Sequence, residues 1–256
     1  MRIVFIGAGN LSTHFSKALQ NAGFEIAQVY SRTKSSAKIL AEILQTSYTT
    51  DILKVTRDAT LYIVSICDDA INTVSNCLMP IEGLVVHTSG SVSINVFSTK
   101  FKNFGVIYPL QTFSKKRKID FSNIPFFLEA NSQENLQSLL TVAKSISDKV
   151  YIATSEERMK LHLAAVFGCN FVNHLYQLSY QIAHQAGFDF DVLSPLIYET
   201  ALKAIFSGNP KALQTGPAVR KDHKVMQKHL DYLSTNHDLQ KIYALISENI
   251  IKQSAK

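Results

Sequence analysis

The first twelve residues constrain the fold more than any other stretch of the chain. Met1 to Ile6 is a short apolar run rich in β-branched residues. It breaks at Gly7-Ala8-Gly9-Asn10-Leu11-Ser12, and a helix-like pattern follows from Leu11 to Asn21. A strand delivered through a Gly-x-Gly turn into a helix is the opening unit of a dinucleotide-binding α/β fold. The reason is local. Gly7 permits the tight turn, and Gly9, lacking a Cβ, lets a pyrophosphate approach the backbone. The free N–H groups and the positive dipole end of the helix then face the negative charge. The third small position holds Ser12, where glycine or alanine is commoner; serine still allows close packing of helix on strand. A plain βα turn could use the same glycines, but their place directly behind a strand favours binding.

Strand and helix signals then alternate. Strands are predicted at 25–31, 59–66, 83–87, 104–109, 125–129 and 149–152. Helices are predicted at 35–44, at 68–78 behind an Asp68-Asp69 N-cap, and at 133–147 behind Asn131-Ser132. This pattern implies a doubly wound, mostly parallel sheet of the Rossmann type. After Thr154-Ser155 the strand signals stop. Helices are expected at 155–186 with Gly187 as C-cap, and at 191–206, 210–213, 221–234 and 238–252. A domain boundary is therefore expected near 153, with a dinucleotide-binding domain at 1–153 and an all-helical domain at 154–256. At 100° per residue the long helix carries a polar stripe from Asn170 to Gln185, and its other faces are apolar enough to predict burial. The stripe reads either as an amide-rich helix or subunit contact, or, near His162 and Asn170, as a surface facing substrate.

Composition bounds the partners. The chain has 256 residues, 46% of them hydrophobic, so it can bury a substantial core and disorder is excluded. The apolar start is too short for a secretory leader, and no run reaches the ~20 apolar residues of a membrane span. The three cysteines, Cys67, Cys77 and Cys169, show no pairing pattern and no metal spacing. They are expected to be reduced, mostly buried thiols of a cytoplasmic protein without a metal site. The net charge of +6 suits an anionic cofactor and is too diffuse for nucleic acid. The basic run Lys115-Lys116-Arg117-Lys118 reads as a solvated loop, with a phosphate clamp as the alternative.

The end of the second strand selects the cofactor. An Asp or Glu there would bind ribose hydroxyls. The chain has Tyr30-Ser31-Arg32-Thr33 instead. No carboxylate repels a 2′-phosphate, Arg32 can pair with it and stack on adenine, and Ser31 and Thr33 offer hydroxyls. NADP is the expected cofactor, with NADPH preferred over NADH.

With these residues in hand, the chain resembles the pyrroline-5-carboxylate reductase and 6-phosphogluconate dehydrogenase-like superfamily. More closely, it resembles a family joining a Rossmann-like NADP-binding domain to a helical domain of unknown function. The segments that carry this are Ser65-Ile66-Cys67-Asp68-Asp69-Ala70-Ile71, His87-Thr88-Ser89-Gly90-Ser91, Tyr108-Pro109-Leu110-Gln111-Thr112-Phe113, His162 to Asn170, and Thr215 to Asp222. Two departures stand out: Tyr108 where related proteins commonly carry histidine, and Lys221 where glycine is common. The helical part also lacks the lysine and asparagine, one turn apart, of hydroxyacid dehydrogenases.

The resemblance implies hydride transfer to or from a small carbonyl or imine compound, in a pocket beyond the carboxyl ends of the strands. Cofactor contacts are expected from Gly7, Gly9, Asn10, Leu11, Ser31, Arg32, Thr33, Ser65, Ile66, Cys67, Asp68, Thr88 and Ser89. His162 and His87 are the candidate proton donors, and Asn170 could hold the substrate carbonyl or imine. Tyr108, Gln111, Thr215, Arg220 and Asp222 are expected near substrate, the last three from a second subunit, since related reductases dimerise through this domain. Plainer roles compete: His87 could cap backbone groups, His162 could be a core histidine, Asn170 part of the amide ladder, and Arg220–Asp222 a buried structural pair. A non-catalytic NADP-binding sensor or scaffold is the alternative function.

Overall fold

The structure is a computed structural model that describes residues 1–114 and 117–254. Strands β1 (Arg2–Ile6), β2 (Glu25–Tyr30), β3 (Ser47–Thr49), β4 (Leu61–Val64), β5 (Leu84–His87), β6 (Phe104–Pro109), β7 (Phe126–Ala130) and β8 (Val150–Ile152) form one sheet. Its order is β3-β2-β1-β4-β5-β6-β7-β8. Every pairing is parallel except β6 with β7. Helices α1 (Asn10–Asn21), α2 (Lys34–Leu44), α3 (Asp68–Cys77) and α4 (Gln133–Lys144) are the crossovers. Ile3 and Phe5 of β1 enter one core, with Phe15, Leu40 and Leu139; Val4 and Ile6 enter the other, with Ile71 and Phe97. Burial on both faces is why the central strands read as unbroken apolar runs.

Beyond β8 the chain is helical: α5 (Ser155–Ala165), a π-helical segment (Val166–Phe171), α6 (Val172–Gln185), α7 (Ser194–Phe206), α8 (His223–Tyr232) and α9 (His237–Ser254). Thr154 and Glu157 form a reciprocal capping box that starts α5. By internal packing the chain divides into Met1–Gly168 and Cys169–Lys256. The last strand ends at Ile152, yet α5 stays with the sheet, because Arg158 bonds the carbonyls of Ser89 and Val92 and the carboxylate of Glu129.

Several expectations are corrected. β3 was not expected: Ser47-Tyr48-Thr49 is an edge strand without an apolar face, paired only with β2. Cys67, not Asp68, stands at the N-cap of α3, with Asp68 and Asp69 in the first turn. All three cysteines are free and exposed; Cys67 and Cys77 sit at the two ends of α3, where helix termini meet solvent. No side chain of α6 is buried within the chain. Among the described residues of the second unit only Ala218, Leu233 and Ser247 are buried. Lys115 and Lys116 of the basic run lie outside the described residues. No described helix is long and apolar enough to cross a membrane.

Candidate active site

The parallel strands end at one edge, and the chain leaves β1 toward β2 on one side while β4 flanks it on the other. A crevice at such a switch point is where open α/β sheets take ligands. Gly7 has φ +125°, its N–H donates to the Tyr30 carbonyl at 2.8 Å, and a Cβ there would lie 2.0 Å from the Ser65 carbonyl oxygen. Only glycine fits. A Cβ on Gly9 would meet nothing within 4 Å, so this backbone opens onto free space. Gly9 is the N-cap of α1 and provides no side-chain cap, leaving the first N–H groups of the helix for an anion. Ser12 is buried, and its hydroxyl donates to the Ser65 carbonyl at 3.2 Å, joining α1 to the end of β4.

Gly7 to Gly9, Tyr30 to Thr33, Ser36, Ser65 to Cys67, Ala70 and Val74 line this cleft. Arg32 is exposed there and makes no ion pair with a described residue. The residues present fit a dinucleotide: a Cβ-free approach for pyrophosphate, uncapped N–H groups, and an unneutralised guanidinium beyond β2. Four larger clefts lie elsewhere, and the two with most room are one at the amino ends of the strands around Asp58 and Asn103 and one along α1 around Lys17 and Arg117. Neither contains the glycine turn.

Other expected cofactor residues are not part of the lining. Asn10 donates from its amide to the Phe113 carbonyl at 3.0 Å, and Leu11 packs on the core. Thr88 and Ser89 are buried. The Ser89 hydroxyl accepts from the N–H groups of Ser91 and Val92, at 3.1 and 3.0 Å. The Ser91 hydroxyl in turn donates to Asp68. His87 is fully buried against Phe97, and its Nδ1 accepts from the Ser89 N–H at 3.2 Å. Burial, followed by the positive charge of Arg158, lowers its pKa to about 3. His87 is therefore held neutral, and its ring accepts a backbone bond in the turn after β5.

The next histidine is placed differently. Nδ1 of His162, on α5, lies 3.1 Å from the Tyr108 hydroxyl at the end of β6. The ring is part-exposed and rests on Gly90, where any Cβ would come within 2.8 Å of it. Tyr108 is 9% exposed. Burial first, then the Asp68 carboxylate, pushes its pKa up to about 12. The phenol thus stays protonated through the neutral range. Gln111 folds back on its own loop, accepting from the Thr112 N–H at 2.8 Å.

Asn170, Thr215, Arg220 and Asp222 belong to the second unit. Asn170 is exposed in the π segment. Asp222 is the N-cap of α8, accepting from the Val225 N–H at 3.2 Å, and Arg220 is exposed. The buried Arg220–Asp222 pair is therefore not formed. Sequence reasoning missed Gly90, Glu129 and Arg158. Gly90 stood in plain view between two serines, but nothing in the spacing signalled the Glu129–Arg158 contact, which joins residues 29 apart.

The oxidoreductase family with an NAD-binding Rossmann fold matches residues 1–73. The domain of unknown function DUF2520 matches residues 124–250, beginning at the antiparallel strand β7. No curated protein matches the chain. Among solved structures, a candidate NADP oxidoreductase from Bacteroides fragilis is 46% identical over 98% of both chains, with a TM-score of 0.91. A Thermotoga maritima protein is 25% identical over 99% of this chain and 100% of its own, with a TM-score of 0.80. A pyrroline-5-carboxylate reductase from Streptococcus pyogenes, 15% identical over 98% of both chains, has a TM-score of 0.63, a likeness of fold alone. The chain belongs to the family in which an oxidoreductase-type NAD(P)-binding Rossmann domain is followed by a DUF2520 domain.

Proposed function

We propose that the protein is an NADP-dependent oxidoreductase that reduces or forms a small carbonyl or imine compound. The observation that carries this reading is the Tyr108–His162 pair, at the same strand ends as the glycine cleft. Gly7, Gly9 and the N-terminus of α1 would hold the pyrophosphate, and Ser31, Arg32 and Thr33 the 2′-phosphate. NADPH, when bound, supplies the hydride. Tyr108, protonated at neutral pH, donates to Nδ1 of His162 and so fixes the proton of the neutral ring on Nε2. As hydride reaches the substrate carbon, Nε2 delivers that proton to the substrate oxygen or nitrogen while Nδ1 takes the Tyr108 hydroxyl proton, so the ring stays neutral and solvent reprotonates the phenolate; the reverse direction runs the same relay backward. His87, buried and neutral, holds the Ser89 turn in place.

A homodimer formed through the helical unit completes the reading, because that unit leaves its apolar side chains uncovered in a single chain. A cytoplasmic setting suits three unpaired, exposed thiols. Thermal stabilisation tests the cofactor. NADPH at 100 times its dissociation constant should stabilise the protein by about 2.7 kcal/mol. Arg32→Ala should weaken NADPH roughly 10- to 100-fold, the worth of charge-assisted hydrogen bonds, and leave NADH unaffected. His162→Ala should abolish turnover of a cyclic imine or small ketone found by screening, yet spare NADPH binding. No stabilisation by either cofactor would overturn the reading.

A further inference from the structure

Arg158 is a charged side chain with no exposure at all, in the first turns of α5. Its Nε donates to the Ser89 carbonyl at 3.1 Å and its Nη2 to the Val92 carbonyl at 2.6 Å. Its Nη1 meets the Glu129 carboxylate at 2.6 Å. Ser155 closes the network: its hydroxyl donates to the same Glu129 oxygen at 2.7 Å while accepting from Nη2 and from the Ile94 N–H. The fork geometry of a guanidinium is what lets one side chain hold two carbonyls and a carboxylate together. A buried ion pair of this kind is a poor source of stability, since apolar groups of equal volume commonly serve as well. Its placement says more. Glu129 on β7 pairs with Val106, two residues before Tyr108, and Phe127 pairs with Tyr108 itself, so Glu129 and Tyr108 share one sheet face. His162 lies one helical turn beyond Arg158 on α5. The clamped loop carries Gly90, the floor on which the His162 ring rests.

We propose that Arg158, held by Glu129, is the positioning residue of the site: it sets the 89–92 loop and α5 at the separation that brings Nδ1 of His162 to the Tyr108 hydroxyl. The proposal rests on the reading of His162 as the proton-delivering group. It acts through the ring and not on substrate.

The test is ¹⁵N NMR of the His162 imidazole in the full-length, cofactor-free protein, with melting temperature measured in parallel. In the native protein Nδ1 should show the shift of a hydrogen-bond acceptor and Nε2 that of a protonated nitrogen. Arg158→Lys keeps the charge but loses the fork. It should lose this asymmetry, giving averaged tautomer shifts, while the melting transition stays cooperative. Glu129→Gln, which keeps the shape and removes the partner charge, should do the same and serves if Arg158→Lys does not fold. Unchanged His162 shifts in a folded variant would overturn the proposal. So would failure of both variants to fold, which would assign the network to stability alone. Because no cofactor is present in this measurement, its outcome is separate from whether NADPH binds.

Discussion

Gly7 and Gly9 are two residues apart and chemically identical, yet the structure uses them for different ends. Gly7 is required by the fold: its φ is +125° and a Cβ would overlap the Ser65 carbonyl. Gly9 has ordinary backbone angles and empty space where its Cβ would be. Gly7→Ala should therefore cost more than about 2 kcal/mol of stability. Gly9→Ala should leave the urea midpoint unchanged but weaken NADPH roughly tenfold or more, by obstructing the phosphate approach. Equal stability losses in the two variants would contradict this division. His87 gives a second residue-level outcome. Its folded pKa of about 3 lies below the ordinary value of 6.5. The unfolded chain thus binds a proton that the folded one refuses. The contribution of His87 to stability is complete above pH 6.5 and is lost as pH falls toward 3, by up to about 1.4 kcal/mol per pH unit. His87→Gln, which keeps an acceptor for the Ser89 N–H, should flatten stability over that window; an unchanged slope would mean the ring protonates freely in the fold.

At the level of elements, the sequence was most legible where burial is complete. β1, β4 and β5 are buried along their whole lengths or nearly so, and their Ile, Val and Leu runs announced them. β3 was not legible because Ser-Tyr-Thr has no apolar face and forms only by pairing with β2. The π segment was not legible because a hydrophobic pattern drifts by less than one residue where the helix widens. The cleft was readable from local motifs, whereas the Arg158–Glu129 clamp depends on strand β7 turning antiparallel, which no local signal encodes. One departure in the sequence proves to be strained. Lys221, where glycine is common in related proteins, sits at φ +53° in the turn leading into α8. The turn is held by bonds from Lys221 and Asp222 N–H to the Ala218 and Pro217 carbonyls, at 3.1 and 2.8 Å. Lys221→Gly should raise stability by about 0.5–1 kcal/mol, the left-handed penalty less the added unfolded-state entropy. A fall in the denaturation midpoint would show that the lysine side chain contributes more than its backbone costs.

For the whole molecule, the two units differ in how self-sufficient they are. The sheet unit buries its strands on both faces, while the unit from Cys169 onward buries almost nothing. Yet α7 is apolar on several sides: Tyr198 is 67% and Ile205 70% exposed, and they lie two turns apart on one face. Removing such side chains from water is worth about 1.5–3 kcal/mol each, so a second surface that covered them would stabilise the unit. A second copy of the chain supplies that surface in the proposed dimer. Light scattering coupled to gel filtration should give twice the 28.5 kDa chain mass. Tyr198→Glu combined with Ile205→Glu should yield monomers, since the buried charges would have no partners. Retention of the dimer in that variant would move the interface off α7, and a monomeric native protein would remove the self-association reading altogether. NADPH binding separates the two levels: the glycine cleft lies wholly within Met1–Gly168, so the monomeric variant should still bind NADPH.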